Sequence, residues 1–482
     1  MSTGPRPGRR VLVAGLGVSG AAAARALLAA GDEVLLTDAA EPAVLGELVG
    51  AGATWLGPVV TPPPGLDLVV TSPGWRPDHP LLVGAARTGV EVVGEPELAW
   101  RMRLPGPDGE PAPWYAVTGT NGKTTTVTML EAVLLAGGRR AVAAGNVGRP
   151  LVEVVTAREP DGSPSFDAVA VELSSFQLHW SSTIAPAAAA VLNVADDHVD
   201  WHGSPEAYRD AKARVLALTP VAVADAGDPV ASGLVRAHPH PVTVTLREPA
   251  PGQLGVRAGA LVDRAFSEGP AGELLLEAGA LQVAGPHNLT NALVAAALGR
   301  AAGVSPADVG RGLAGFRGGA HRNVLVATVD GVDFVDDSKA TNPHAAAASL
   351  AGYPRVVWIA GGLLKGADVD QLVAQVAPRL AGVVLLGRDR EQLARSLARH
   401  APSVPRTVVP SGDHGAVVTG VTGGTGERVS AEDVMRQVVS AAARLARPGD
   451  TVLLAPAAAS MDVFTDYGHR GRAFADAVRA LG

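Results

Sequence analysis

The 482-residue chain reads as an α/β protein of three domains, and three observations carry that reading. Short β-branched runs alternate with alanine- and leucine-rich helical patterns almost throughout, which is the signature of parallel α/β layers. Two glycine-rich turns each follow an apolar strand and open a helix. Two stretches break the rhythm: Leu104–Pro113, dense in turn formers and read as a linker, and Gly315–His321, which precedes a hairpin-like run from Val324 to Val335. These breaks divide the chain into 1–112, 113–319 and 320–482, each of ordinary domain size.

The first glycine turn is Gly15-Leu-Gly17-Val-Ser-Gly20, after the strand Val11–Ala14 and before an alanine-rich helix from Ala21. Asp38 ends the next apolar strand, about twenty residues on, as in the dinucleotide-binding fingerprint. Glycines let a pyrophosphate approach the backbone, and the helix N-terminus favours its charge. A nicotinamide dinucleotide, a UDP-linked ligand, or a bare βα turn all satisfy this pattern.

The second turn is more specific. Thr118-Gly119-Thr120-Asn121-Gly122-Lys123-Thr124-Thr125 follows the strand Trp114–Val117 and leads into the helical run Thr126–Ala136. Such a loop turns backbone N–H groups toward phosphate oxygens, its lysine neutralises β- and γ-phosphate charge, and its threonine hydroxyl reaches Mg²⁺. Val117 stands where the usual pattern has its first glycine. Glu172-Leu-Ser-Ser-Phe-Gln177 then ends the strand Ala168–Val171, and Asn193–Asp200, with His198, ends the next. A carboxylate and an imidazole at adjacent strand ends can hold Mg²⁺, whereas His198 alone would read as a solvated loop histidine. From Val242 to Ala284, short strands between glycine turns predict an antiparallel flap on the middle domain. The third piece returns to strand–helix alternation after its hairpin.

Composition removes other classes. A formal net charge of −7 argues against a nucleic-acid-coating protein, and the absence of cysteine excludes disulfides, thiolate nucleophiles and cysteine-bound zinc. No uncharged apolar run reaches the roughly 18 to 20 residues that span a bilayer, and the opening segment scans as strand, turn and helix, not as a signal peptide. A soluble, cytoplasmic protein is expected. Only four of the 40 basic residues are lysines: Lys123, Lys212, Lys339 and Lys365. Arginine is a fixed planar fork, whereas lysine is a compact amine that meets phosphate as a point charge or takes covalent modification. Those four positions are the first places to look for chemistry.

Several motifs in one order resemble a known family: Thr118–Thr125, Gly145-Asn-Val-Gly148, Glu172–Leu178, Asp197-His198, His287-Asn-Leu-Thr-Asn291, His321-Arg322 and Asp337-Ser-Lys-Ala-Thr-Asn342. Over essentially its whole length the chain resembles the Mur ligases of peptidoglycan synthesis. The resemblance implies an N-terminal Rossmann-like UDP-binding domain, a central phosphate-loop ATPase domain with the flap, and a C-terminal Rossmann-like amino-acid-binding domain. It gives the first glycine turn to UDP. The implied activity is an ATP- and Mg²⁺-dependent amide ligation that adds D-glutamate to UDP-N-acetylmuramoyl-L-alanine through an acyl phosphate, by a monomer with no nucleic-acid partner.

Residue roles follow from the same resemblance. Gly119–Thr125 would hold the triphosphate, with Asn291, Arg322 and Asp337 around adenine, phosphate and ribose. Thr124, Glu172 and His198 resemble metal ligands, and Lys212 matches a lysine whose carbamate joins them. Ser19, Asp38, Ser72 and Gly74 would lie near UDP, and Asn146 and Ser174 near the muramoyl group. Lys339, Thr341, Lys365, Ser460 and Tyr467 would line the acceptor side, with Lys339 also contacting the transferred phosphoryl group. Ser460-Met-Asp-Val-Phe resembles a D-glutamate loop, and no Asp-Asn-Pro-Arg motif of a diaminopimelate-adding ligase occurs. The chain departs from the family at Ala39 and Ala40, apolar where uracil contacts can follow Asp38, and at Leu363-Leu364, apolar before Lys365. Tyr467 stands where phenylalanine can occur. A ligase for another amino acid or for folate, a nicotinamide dehydrogenase, and a non-catalytic nucleotide-binding protein are the rival readings.

Overall fold

Parallel strands form the centre of each of three sheets, because their inward positions are continuous Val, Leu and Ala and both faces are covered by helices. The computed structural model describes residues 8–195, 197–283, 285–410 and 430–481. The opening residues 1–7, Asp196 of the histidine-bearing run and Ala284 at the end of the expected flap lie outside them. No helix among the described residues is long and apolar enough to cross a membrane.

The first sheet has five parallel strands, in the order Thr54–Trp55, Glu33–Thr37, Arg10–Ala14, Leu68–Thr71 and Glu91–Gly94. Its central strand Arg10–Ala14 is a switch point: the chain moves to one side for the second strand and to the other for the fourth. The glycine turn, Asp38 and Ser72 therefore meet beyond three neighbouring strand ends.

The second sheet has nine strands among the described residues. Trp114–Thr118 lies between Ala168–Glu172 and Ala188–Val191, so the phosphate loop emerges at another switch point, with Glu172 beside it. The expected flap is present: Gln253–Arg257, Ala260–Asp263 and Glu273–Glu277 pair antiparallel at one edge. Arg300 ties it down, donating to Asp263 at 2.8 Å and to Glu273 at 2.7 Å.

The described residues pack as two units: one runs to Leu281 and adds Leu289–Phe316, and the other joins Gln282–Asn288 to the chain from Arg317 onward. The first unit contains both sheets just described, because buried acids stitch them together. Glu95 accepts from Val152 N–H at 2.7 Å, capping the helix Leu151–Thr156 across the seam. Glu97, fully buried, accepts from Ser182 N–H at 2.9 Å and Thr183 N–H at 3.1 Å. Burial pushes the Glu95 carboxyl up to about 7. Leu104–Pro113, read as a linker, closes on itself through Gly106 N–H donating to Glu110 C=O at 2.8 Å and a bridge between Pro105 and Pro111.

Among the described residues, the second unit holds a six-stranded sheet. Val324–Val329 and Val332–Asp336 form the expected hairpin, and Val332–Asp336 then pairs parallel with Thr451–Leu454, which also pairs with Val356–Gly361. Trp358 is fully buried and donates its indole N–H to Ala455 C=O at 2.7 Å.

Candidate active site

The phosphate loop is built by two left-handed glycines. Gly119 has φ 154° and Gly122 φ 84°, and a Cβ at Gly122 would stand 2.6 Å from Asn291 Oδ1. Both positions need the freedom and both lack the room for a side chain, since a Cβ at Gly119 would stand 2.9 Å from Leu192 Cβ. Asn193 pins the loop from the neighbouring strand end, accepting from Asn121 N–H at 2.8 Å and donating to Asn121 C=O at 3.1 Å. The helix begins at Lys123, three residues before the expected Thr126, so Lys123, Thr124 and Thr125 form its first turn. The Lys123 amine donates to Gly119 C=O at 2.8 Å and Thr120 C=O at 3.0 Å, folded back over the loop it would serve.

Glu172, buried at its strand end, is held from both sides. Thr124 Oγ1 donates to its Oε2 at 2.7 Å, and Asn146 Nδ2 donates to its Oε1 at 2.8 Å. Gly145 permits this approach, since a Cβ there would lie 2.3 Å from Glu172 C=O. Three residues read separately from the sequence thus meet on one carboxylate. Ser174 is less available: its hydroxyl caps the helix Ser175–His179, accepting from Gln177 N–H at 3.2 Å.

Lys212 is 1% exposed, with its amine 4.5 Å from the Tyr208 ring centroid. Burial, reinforced by the charge of Lys123, drives its pKa well below the usual lysine range, with Asp197 and Glu172 opposing. Tyr208 is itself buried and its hydroxyl lies 3.0 Å from Thr120 Oγ1, linking this chamber to the phosphate loop. His198 adopts φ 53°, and its ring lies 4.7 Å from that of Phe176. Phe176 also packs on Trp201 and His202. Burial lowers His202 to about 4, so it stays neutral, its Nε2 3.0 Å from Ser175 Oγ. Tyr208, Asn193 and His202 were not singled out from the sequence; their only signal is proximity to the motifs.

Among the described residues, no group of three or more His, Cys, Asp or Glu side chains converges as a ready metal site. The donor set nevertheless fits a hard cation: an oxygen pair from Thr124 and Glu172 with 2.7 Å between them, next to a buried, neutral-leaning lysine. A carbamate on Lys212 would add the carboxylate that the unmodified chain lacks.

Around the first glycine turn, Asp38 Oδ2 accepts from Leu16 N–H at 2.6 Å and Ser72 Oγ donates to Gly15 C=O at 2.7 Å. Ser19 lies in the first turn of the helix Val18–Ala29, and Gly74 is the exposed residue of the turn from Ser72 to Trp75. Gly20 packs so closely that a Cβ would stand 1.8 Å from Gly15 C=O.

In the second unit, the Lys339 amine lies 3.8 Å from the Tyr467 ring centroid, and Ser338 Oγ donates to Tyr467 C=O at 2.8 Å. Thr341 N–H donates to Lys339 C=O at 2.8 Å. Desolvation raises Asp337 to about 6, with the Arg322 charge opposing. His321 Nδ1 lies 2.6 Å from Asp336 Oδ2. Buried Arg470 donates to Ser338 C=O at 2.8 Å and Ala458 C=O at 3.1 Å, joining the Lys339 loop to the one bearing Ser460. Ser460 is buried, and Lys365 sits in a turn with φ 54°.

Fold and site together define an α/β protein that presents a nucleotide-phosphate loop beside a buried carboxylate and lysine. The Mur ligase middle domain family matches residues 117–299, and the Mur ligase glutamate ligase domain family matches 321–458. UDP-N-acetylmuramoylalanine–D-glutamate ligase of Thermobifida fusca is 55% identical over 98% of this chain and 99% of its own. The proteins of that name from Mycolicibacterium smegmatis and Streptomyces coelicolor are 51% and 50% identical, each over 98% of this chain and 97% and 98% of theirs. The chain belongs to the Mur ligase family. In structure it resembles the UDP-N-acetylmuramate–alanine ligase of Thermotoga maritima, with TM-score 0.57 and 19% identity over 98% of this chain and all of the other, a likeness of fold.

Proposed function

We propose that this chain is the ATP-dependent ligase that joins D-glutamate to UDP-N-acetylmuramoyl-L-alanine in peptidoglycan precursor synthesis. The observation that carries the reading is the 55% identity, over nearly the full length of both chains, to a ligase named for that reaction. The division 1–112, 113–319 and 320–482 into UDP, ATP and amino-acid domains belongs to this proposal and is supported by one sheet in each part. So do ATP, Mg²⁺, a cytoplasmic location and the monomeric state.

A carboxylate is a poor acyl donor, so the reaction needs an activated form. ATP phosphorylates the L-alanyl carboxylate: a carboxylate oxygen bonds to the γ-phosphorus, the β–γ oxygen bridge breaks, and ADP leaves. The amine of D-glutamate then attacks the acyl carbon, the amide forms, and phosphate and a proton depart. Phosphoryl transfer depends on positioning and charge neutralisation. Lys123 turns from the loop carbonyls to the triphosphate, Asn291 and Asp337 hold the nucleoside, and Arg322 and Lys339 face transferred phosphate. Thr124, Glu172, His198 and a carbamylated Lys212 would hold Mg²⁺, which would supply positive charge to the phosphates.

Lys212 is the residue suited to the modification because burial favours its neutral amine, the form nucleophilic toward CO₂; the N–C bond would form as a proton is lost. Asp38, Ser19, Ser72 and Gly74 orient UDP, and Asn146 and Ser174 the muramoyl group. Thr341, Lys365, Ser460 and Tyr467 receive the acceptor's carboxylates. The test is phosphate release from ATP with UDP-N-acetylmuramoyl-L-alanine and, in turn, D-glutamate, L-lysine, diaminopimelate or no acceptor. Release that requires D-glutamate supports the proposal; release with another acceptor, or none, defeats it.

A further inference from the structure

The turn that carries Lys365 is shaped by residues outside the assigned site. Lys365 and Gly366 are both left-handed, with φ 54° and 79°. A non-glycine residue there is strained, so something outside the turn must hold it. The sequence Leu363-Leu364 offers no polar side chain for that purpose.

The hold comes from the next strand end. Asp389 begins the helix Arg390–His400, and its Oδ2 accepts from Leu364 N–H at 2.7 Å. Its own N–H donates to Gly362 C=O at 3.1 Å. Three residues on, Gln392 Nε2 donates to Ala367 C=O at 2.9 Å, gripping the far side of the same turn. The inner edge is fixed by backbone alone: Leu363 and Ala459 exchange N–H···O bonds of 2.8 and 3.0 Å. Gly362 and Gly387 permit this packing, since a Cβ would stand 2.2 Å from Ala459 C=O and 2.6 Å from Gly362 N respectively. Asp462, beyond Ser460, accepts from Arg388 N–H at 2.8 Å. The loops at 361–367, 387–389 and 457–462 therefore form one knot at the carboxyl edge of the sheet. Within it Asp389 is the side chain that directly fixes the backbone one residue before Lys365.

We infer that Asp389 is a positioning residue for acceptor recognition, holding the Lys365 turn so that the lysine amine meets a carboxylate of the incoming amino acid. The inference rests on the D-glutamate reading above and adds to it a residue outside the motifs. A side chain that acts through the Lys365 turn is expected to move the acceptor KM and to leave the other terms alone.

Steady-state kinetics with all three substrates test it. Asp389→Ala is expected to raise the KM for D-glutamate about tenfold, the usual effect of losing one hydrogen bond with a charged partner. Its kcat and its KM for ATP are expected to stay within about twofold. Asp389→Asn keeps an acceptor oxygen for Leu364 N–H and is expected to restore the KM to within about threefold of wild type. In a Lys365→Ala background, Asp389→Ala is expected to add nothing further. If Asp389→Ala does not fold, Gln392→Ala is the second probe, expected to raise the same KM about threefold. An unchanged D-glutamate KM in the folded variants, an equal loss in Ala and Asn, or effects additive with Lys365→Ala overturns the inference. A wild-type enzyme that ignores D-glutamate would instead overturn the substrate reading, so the two failures are distinct.

Discussion

The two glycine turns of the first unit share strand, turn and helix, and each has a carboxylate at an adjacent strand end, Asp38 or Glu172, yet the second also carries a cation of its own. At Gly15–Gly20 the adjacent strand end contributes a carboxylate, Asp38, which accepts from the turn's own Leu16 N–H at 2.6 Å. At Gly119–Gly122 the loop contributes a cation, Lys123, which donates to loop carbonyls at 2.8 and 3.0 Å. An acid beside the turn suits ligand hydroxyls, such as those of a ribose, whereas an amine inside it suits a triphosphate. A glycine pattern therefore describes room for a phosphate. The charged neighbour decides which phosphate ligand is bound.

Substitutions at each turn and at the seam between them sharpen this contrast. The largest effect belongs to the cationic side. Lys212→Arg keeps a basic side chain but removes the amine able to take CO₂, and ligation is expected to vanish, by at least about a thousandfold in phosphate release. Near-normal release would eliminate the carbamate.

Next comes the backbone of the acidic turn. Gly20→Ala forces a methyl to within 1.8 Å of Gly15 C=O, a clash with rigid backbone. Urea unfolding is expected to register a loss of about 2–3 kcal/mol, the range of a severe overpacking. An unchanged midpoint would show that the turn is loose.

Asp38→Ala should separate the two turns functionally. The KM for the UDP-linked substrate is expected to rise about tenfold with the KM for ATP unchanged, as for one charged hydrogen bond. A matching rise in the ATP KM would erase the distinction.

The smallest effect lies at the seam. Glu95 has its pKa raised to about 7 by burial, from 4.5. The folded state therefore holds this proton more tightly than the unfolded chain, so stability falls as pH rises from about 4.5 through 7. Glu95→Gln keeps an acceptor for Val152 N–H without ionising. It is expected to lie close to wild type at pH 5 and to exceed it by about 2–3 kcal/mol at pH 8. Denaturation curves at the two pH values check this, and parallel pH profiles would refute it.

Much of the site was readable because motif residues lie at strand ends, where parallel sheets collect ligands. Thr124, Asn146 and Glu172 are far apart in sequence, yet each follows from its own short pattern, and the sheet brings them to one carboxylate. Asn193 and Tyr208 were not readable, since an amide that pins a loop and a hydroxyl beside Thr120 carry no local pattern. Asp389 was hidden for the same reason: its partner is a backbone N–H 25 residues away. Leu104–Pro113 looked like a linker because prolines and glycines suppress periodicity. Whether such a segment separates or joins depends on its surroundings, and here Glu95 and Glu97 hold the flanking sheets together.

By itself the sequence determined the α/β layering, the phosphate loop and the family, since these depend on residues close along the chain. The scarcity of lysine marked four positions without ranking them. Only the tertiary structure decided that Lys212 is buried and driven toward the neutral amine, while Lys365 stands on a turn held from the next strand end. Desolvation and backbone strain are properties of what surrounds a residue, and the chain acquires those surroundings only on folding.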